Sequence, residues 1–217
     1  MIAYNLDEPG IERRLGPGLP WAREMLGART AHEWAHLAVD AGWVPRTVDD
    51  SAWQARRKDL AGAFDAVVAR LPTGIAREVA DDRRRLGAAG SVGEALVEIF
   101  EKRLPDFRAN LLAARYQSDP ERETYVRHNI RPLRRELPDP LLLRRLSRLL
   151  FEAQYLRFSN LEERWPYFFE ITRFETEFME TDVLDDAALH RLDEAAAALC
   201  SSYRIADEAF VLPTRSA

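Results

Sequence analysis

The sequence predicts a mainly α protein: a multi-helix, bundle-like single domain with little or no β-structure. Three observations carry this. Apolar residues recur at helical spacing along most of the chain, Pro and Gly interrupt it about once per helix length, and no stretch sustains the two-residue alternation of a half-buried strand. A chain of 217 residues suits one core. The best place for an internal boundary is Ser118-Asp119-Pro120.

After a Gly/Pro-rich opening, a first helix is expected from Trp21 to Gly42, with Gly42 as its stop and Pro45 beyond. A second starts at Asp50 or Ser51 and runs to Leu71, with Leu60, Phe64, Val67, Val68 and Leu71 on its apolar side before Pro72. A third, highly charged, covers Ile75 to Leu86 and stops at Gly87. Ser91-Val92-Gly93-Glu94 reads as a capping box that opens a fourth, from Val92 to Arg103. Prolines 105, 120, 132, 138, 140 and 166 divide the remainder into Asp106–Gln117, Glu121–Leu137, Leu141–Glu163, Tyr167–Thr181 and Ala187–Ala206. Ile2–Leu6 and Phe210–Leu212 are the two short strand candidates.

Composition narrows the function classes. With 47% apolar and 31% charged residues the chain is ordinary for a soluble globular protein, and a net charge of -5 argues against nucleic-acid binding. The positive charge is nearly all arginine, since Lys58 and Lys102 are the only lysines. Arginines 127, 131, 134, 135, 144, 145 and 148 form a basic stretch, best read in so acidic a protein as a solvated helix face. The one cysteine, Cys200, forms no intrachain disulfide and fits a reducing compartment. No segment has the pattern of a signal peptide or the length of a membrane span, so a cytoplasmic location without a membrane role is expected.

The chemically distinctive segment is His32-Glu33-Trp34-Ala35-His36, in the middle of the first helix. Histidines four positions apart lie about 40° apart around a helix axis, so both imidazoles can turn toward one ion, with Glu33 beside them to act on a bound water. These are two of only 4 histidines in the chain.

Thr30-Ala31-His32-Glu33-Trp34-Ala35-His36-Leu37-Ala38 resembles the HExxH helix of zincin metallopeptidases. Arg29 departs from the small or β-branched residue usual before it, and Val39 stands where the metzincin subgroup needs Gly. A gluzincin-type arrangement is the nearer likeness, because Gly93-Glu94-Ala95-Leu96-Val97-Glu98-Ile99-Phe100-Glu101 is similar to the later helix that supplies the third ligand there. The resemblance implies zinc held by His32, His36 and Glu94, with Glu98 in support and Glu33 as general base. Glu94 is also the fourth residue of the capping box; if its carboxylate is used there, Glu98 is the better ligand. The activity implied is metal-dependent hydrolysis of a peptide or small-molecule substrate. The 31 residues before His32 are rich in Gly and Pro, which leaves little room for the sheet that zincin peptidases place ahead of this helix.

Two other readings compete. In one the chain is a non-enzymatic helical module that binds a protein partner, with HEWAH serving packing. In the other, Glu33-Trp34-Ala35-His36 is half of a helical di-metal oxygenase site. A second Glu-x-x-His is missing, since His128 is preceded by Tyr125 and His190 by Ala187 at the required position. Asp186 and His190 do share the i, i+4 spacing. His128 beside Arg127 is a candidate for polarising a substrate. Tyr167, Ile171, Phe174 and Phe178 form a core stripe, with Trp165, Phe168 and Phe169 left over for a pocket or a contact between subunits.

Overall fold

The computed structural model describes residues 22–71, 73–125, 141–158 and 186–206. They form α1 (Ala22–Asp40), α2 (Asp50–Val68), α3 (Thr73–Arg85), α4 (Val92–Glu101), α5 (Leu104–Ala113), α6 (Asp119–Tyr125), α7 (Leu142–Phe158) and α8 (Asp186–Cys200). The fold is mainly α, as the sequence predicts, with no strand among the described residues and a single isolated bridge between Arg46 and Tyr203. None of these helices is long and apolar enough to cross a membrane. Ile2–Leu6, Phe210–Leu212 and the Tyr167–Thr181 segment lie outside the described residues, as do His128, Trp165 and arginines 127, 131, 134 and 135.

Helix ends follow local chemistry. At the end of α1, Gly42 has φ 87°, its N-H bonds to Val39 O at 3.0 Å, and Trp43 N-H bonds to Ala38 O at 3.0 Å. This is the glycine-terminated double closure that a left-handed residue permits. Gly87 (φ 66°) ends α3 the same way, with Gly87 N-H on Arg84 O and Ala88 N-H on Arg83 O. Asp49 caps α2 by accepting from Ala52 N-H at 2.8 Å. Buried Asp82 of α3 accepts from Leu143 N-H at 3.1 Å, satisfying an otherwise open donor in the first turn of α7.

Prolines shift two starts. Pro105 and Pro120 were expected to precede their helices, but each lies inside a first turn, where a missing N-H costs nothing and the fixed φ is helical. Helix α6 opens with a second capping box: Ser118 N-H donates to Glu121 Oε2 at 2.7 Å and Glu121 N-H to Ser118 Oγ at 3.4 Å. Helix α8 stops at Cys200, short of the Ala206 expected from sequence. Residues 202–206 instead run antiparallel to 43–47, with Thr47 N-H on Ser202 O (2.6 Å), Arg204 N-H on Pro45 O (3.2 Å) and Ala206 N-H on Trp43 O (2.9 Å).

The larger core gathers Leu60 and Phe64 of α2, Leu96 and Phe100 of α4, Leu149 and Tyr155 of α7, and Leu192 and Leu199 of α8. A smaller one lies between α1 and α5 and consists mostly of small side chains: Ala35, Ala38 and Val39 against Ala109, Leu112 and Ala113, closed by Val44 and Ile205. Helix α5 packs on both α1 and α7, and Tyr203 touches both clusters. Arg108 ties the junction together, with Nε and Nη2 on Val44 O at 3.0 and 2.6 Å and its guanidinium 5.0 Å over the Tyr203 ring.

Two glycines give opposite predictions. A Cβ on Gly93 would sit 2.0 Å from the Ala61 carbonyl oxygen of α2, whereas one on Gly62 would meet nothing within 4 Å. Gly93→Ala should cost about 1–3 kcal/mol by overpacking, and Gly62→Ala should stabilise by about 0.5–1 kcal/mol through helix propensity, both read from urea melts. Cys200 is only 4% exposed, and burial, followed by the charge of Asp193, pushes its thiol pKa upward. Thiol labelling of the native protein should run at least about 100-fold slower than in denaturant and follow global opening.

Candidate metal centre

Helix α1 presents His32 and His36 toward the first turn of α5. The Ala35 and Ala38 side chains keep the two helices close, and α5 answers with Ala109 and Ala113. His36 Nε2 lies 3.0 Å from His32 Nε2 and 3.4 Å from Asp106 Oδ1. One donor atom from each of His32, His36 and Asp106 falls within 4.8 Å of the others. Two ligand atoms on one tetrahedral zinc stand about 3.3 Å apart, so the two measured edges match a shared ion with small side-chain adjustments. The donor set, two imidazoles and one carboxylate, is of the kind that holds zinc or iron(II).

Asp106 benefits from its position. An acidic side chain in a helix's first turn is favoured by the dipole and the open N-H groups there. Four residues on, buried Asn110 acts on His32 in favour of the protonated imidazole. His32 is nevertheless held below its ordinary pKa, first by burial and then by the neighbouring His36, while Asn110, Glu33 and Asp106 oppose the shift. A neutral imidazole is the form that binds metal. His32 Nδ1 is itself buried without a hydrogen-bond partner.

The third wall is α6, which delivers Tyr125 to the site. Its ring lies 5.8 Å from that of His32 and 6.0 Å from that of Tyr155 in the large core. Burial, with the charges of Asp106 and Glu33, raises the phenol to about 12 against the opposing effect of Arg29, so the hydroxyl keeps its proton at any physiological pH. Helix α6 packs on α1 at Gly27, and Gln117, just ahead of α6, ties the approach down with its Nε2 donating to Ala28 O at 3.1 Å. A Cβ on Gly27 would lie 2.1 Å from Glu121 Oε1, the carboxylate that caps α6. On the opposite flank Trp34 is wedged edge-on between Trp43 and Tyr116, at 5.5 and 4.9 Å. Glu33 is exposed, and its charge reaches both His32 and Tyr125.

Of the residues singled out from sequence, His32, Glu33 and His36 meet at one place, and Glu94 is not with them. Glu94 is exposed and used in the capping box, where its Oε2 accepts from Ser91 N-H at 2.8 Å while Ser91 Oγ accepts from Glu94 N-H at 3.1 Å. Glu98 is exposed on the same helix, which packs against α2 and α7. The carboxylate that reaches the histidines is Asp106, which sequence reasoning passed over together with Asn110 and Tyr125. The available signal was Pro105: read as a first-turn proline, it makes Asp106 an N-terminal carboxylate one turn ahead of Asn110. His190, the other half of a di-metal reading, is exposed and 3.1 Å from Glu194 on α8, a helix packed against α2 and α7.

Compared with known proteins, the chain matches no family model, no curated protein and no solved structure.

Because Glu94 works as a cap, Glu94→Ala should lower stability by about 0.5–1 kcal/mol in thermal or urea unfolding, with the loss confined to α4 in hydrogen exchange. Glu94→Gln, which can still reach back to the Ser91 N-H, should recover most of it.

Proposed function

We propose that the protein is a divalent-metal hydrolase of amide or ester bonds, with His32, His36 and Asp106 holding the ion and Glu33 moving the proton. The observation that carries this is the convergence of two imidazole Nε2 atoms and one carboxylate oxygen, with a free carboxylate on the same helix. Zinc is the metal that this donor set and the zincin-like HEWAH helix favour. Bound there, it would supply a Lewis acid for the substrate carbonyl and bring the pKa of a water toward neutrality.

Each side chain then has a task. Glu33 accepts a proton from the attacking water as the new C-O bond forms, and returns it to the leaving nitrogen or oxygen as the old bond breaks. The Tyr125 hydroxyl, always protonated, donates to the substrate oxygen as it gains negative charge. With metal held, Asn110 is the polar neighbour of His32 that would turn to accept from its otherwise unpartnered Nδ1, a role commonly filled by a polar neighbour of a ligating histidine. The same two-histidine, one-carboxylate set suits iron(II) oxygen chemistry, but that chemistry gives no work to a carboxylate placed like Glu33.

Purified protein should take up about one equivalent of zinc, and His32→Ala, His36→Ala and Asp106→Ala should each abolish stoichiometric binding in metal analysis. Glu94→Ala should leave binding unchanged. Glu33→Gln should retain the metal and lose at least about 100-fold in hydrolytic kcat. Less than about a tenth of an equivalent of metal, or full binding by Asp106→Ala, would sink the assignment.

A further inference from the structure

We propose that the substrate carries a carboxylate close to the bond that is broken, and that Arg29 is the residue that holds it. The proposal rests on the hydrolase reading above and names its substrate class.

Arg29 precedes Glu33 by one helical turn and His32 by three residues on α1. Around the helix axis Arg29, Glu33 and His36 span only about 60°, so they share a stripe, with Arg29 offset from His32 by about 4.5 Å along the axis. Side chains on a helix lean toward its N-terminus, which sends the guanidinium away from the histidines. It therefore addresses a point about one residue's length beyond the donor cluster.

Arg29 is exposed and forms no ion pair or hydrogen bond with any described residue, although Glu33 stands at the i+4 position usual for a helical pair. Its charge acts on Tyr125, the same phenol that feels Asp106 and Glu33, and it stands one turn from Glu33 on the helix that carries both histidines. The charge balance of the site points the same way. A divalent ion offsets Asp106 and Glu33, the two histidines bind it neutral, and among the described residues the guanidinium is left uncompensated. A loaded site of this composition attracts an anion.

The fork of a guanidinium matches the two oxygens of a carboxylate or a phosphate. One fork suits the single charge of a carboxylate, and no second cation lies on that stripe, where Glu33, His36 and exposed Leu37 follow. The class expected is an N-acyl amino acid or the carboxyl end of a short peptide, cleaved at its last amide. The reaction balances as ordinary hydrolysis: water oxygen joins the acyl carbon, the C-N bond breaks, and the proton carried by Glu33 ends on the amine.

The test uses the full-length, zinc-loaded protein and three hydroxamates, which chelate the metal whatever the natural acyl group: succinic monohydroxamate, its terminal carboxamide, and a matching phosphonate. Calorimetry should show the carboxylate binding about 10- to 100-fold more tightly than the carboxamide, and the difference should vanish in Arg29→Met and be partly kept in Arg29→Lys. Equal binding of carboxylate and carboxamide to the native protein, absence of binding by all three, or a preference that survives in Arg29→Met would each overturn the proposal. Tighter binding of the phosphonate would overturn the carboxylate assignment. Zinc content measured on the same samples separates the causes: a protein that holds zinc but shows no carboxylate preference refutes only the substrate class, whereas one that holds none refutes the hydrolase reading as well.

Discussion

The close approach of α1 to α5 is the contact on which the rest of the site depends. It is made with alanines. Ala35 and Ala38 on one helix and Ala109 and Ala113 on the other bring the backbones near enough for short side chains to meet across the gap. Asp106 has only one methylene between its backbone and its carboxylate, so its reach to His36 is set by helix spacing rather than by side-chain length. A larger residue at any of these alanines would push apart the same two elements that carry the donor atoms.

Around that contact the molecule places restraints with different physical origins. Arg108 crosses from α5 to the backbone of the α1–α2 connection and stacks on Tyr203. The Trp34, Trp43 and Tyr116 rings fix the rotation of α1 on its other flank. Gly27 leaves room for the Glu121 carboxylate that caps α6, the helix that brings Tyr125 beside His32. The imidazoles are thus aimed by packing on three sides, which limits the reorganisation that ligand binding would require.

Much of the architecture was legible because it is written in short-range chemistry. Gly42, Gly87 and the Ser91 box mark helix ends through their own backbone preferences, and the structure uses them as read. The sequence is ambiguous where one residue type serves two purposes. Proline breaks a helix from inside but is tolerated in its first turn, and Pro105 and Pro120 take the second role. The helical pattern in sequence continues through Tyr203 and Ile205, yet these residues are drawn off α8 by pairing with residues 43–47. For the site, the i, i+4 histidines announce themselves within five residues, whereas Asp106 joins them only through the pairing of two distant alanine faces. Glu94 was attractive for its neighbours in sequence, and those same neighbours use it as a cap.

The pairing of residues 43–47 with 202–206 also fixes an order of events. Thr47 and Ser202 are 155 positions apart, so this seam closes across most of the chain. Every donor of the cluster lies between His32 and Asp106, with Asn110 and Tyr125 soon after. On the ribosome these residues emerge long before Ile205 can fill the base of the α1–α5 core. The donor residues are thus made well before the strand-like segment that closes the core beneath them, and the site's floor is the last part of it to be synthesised.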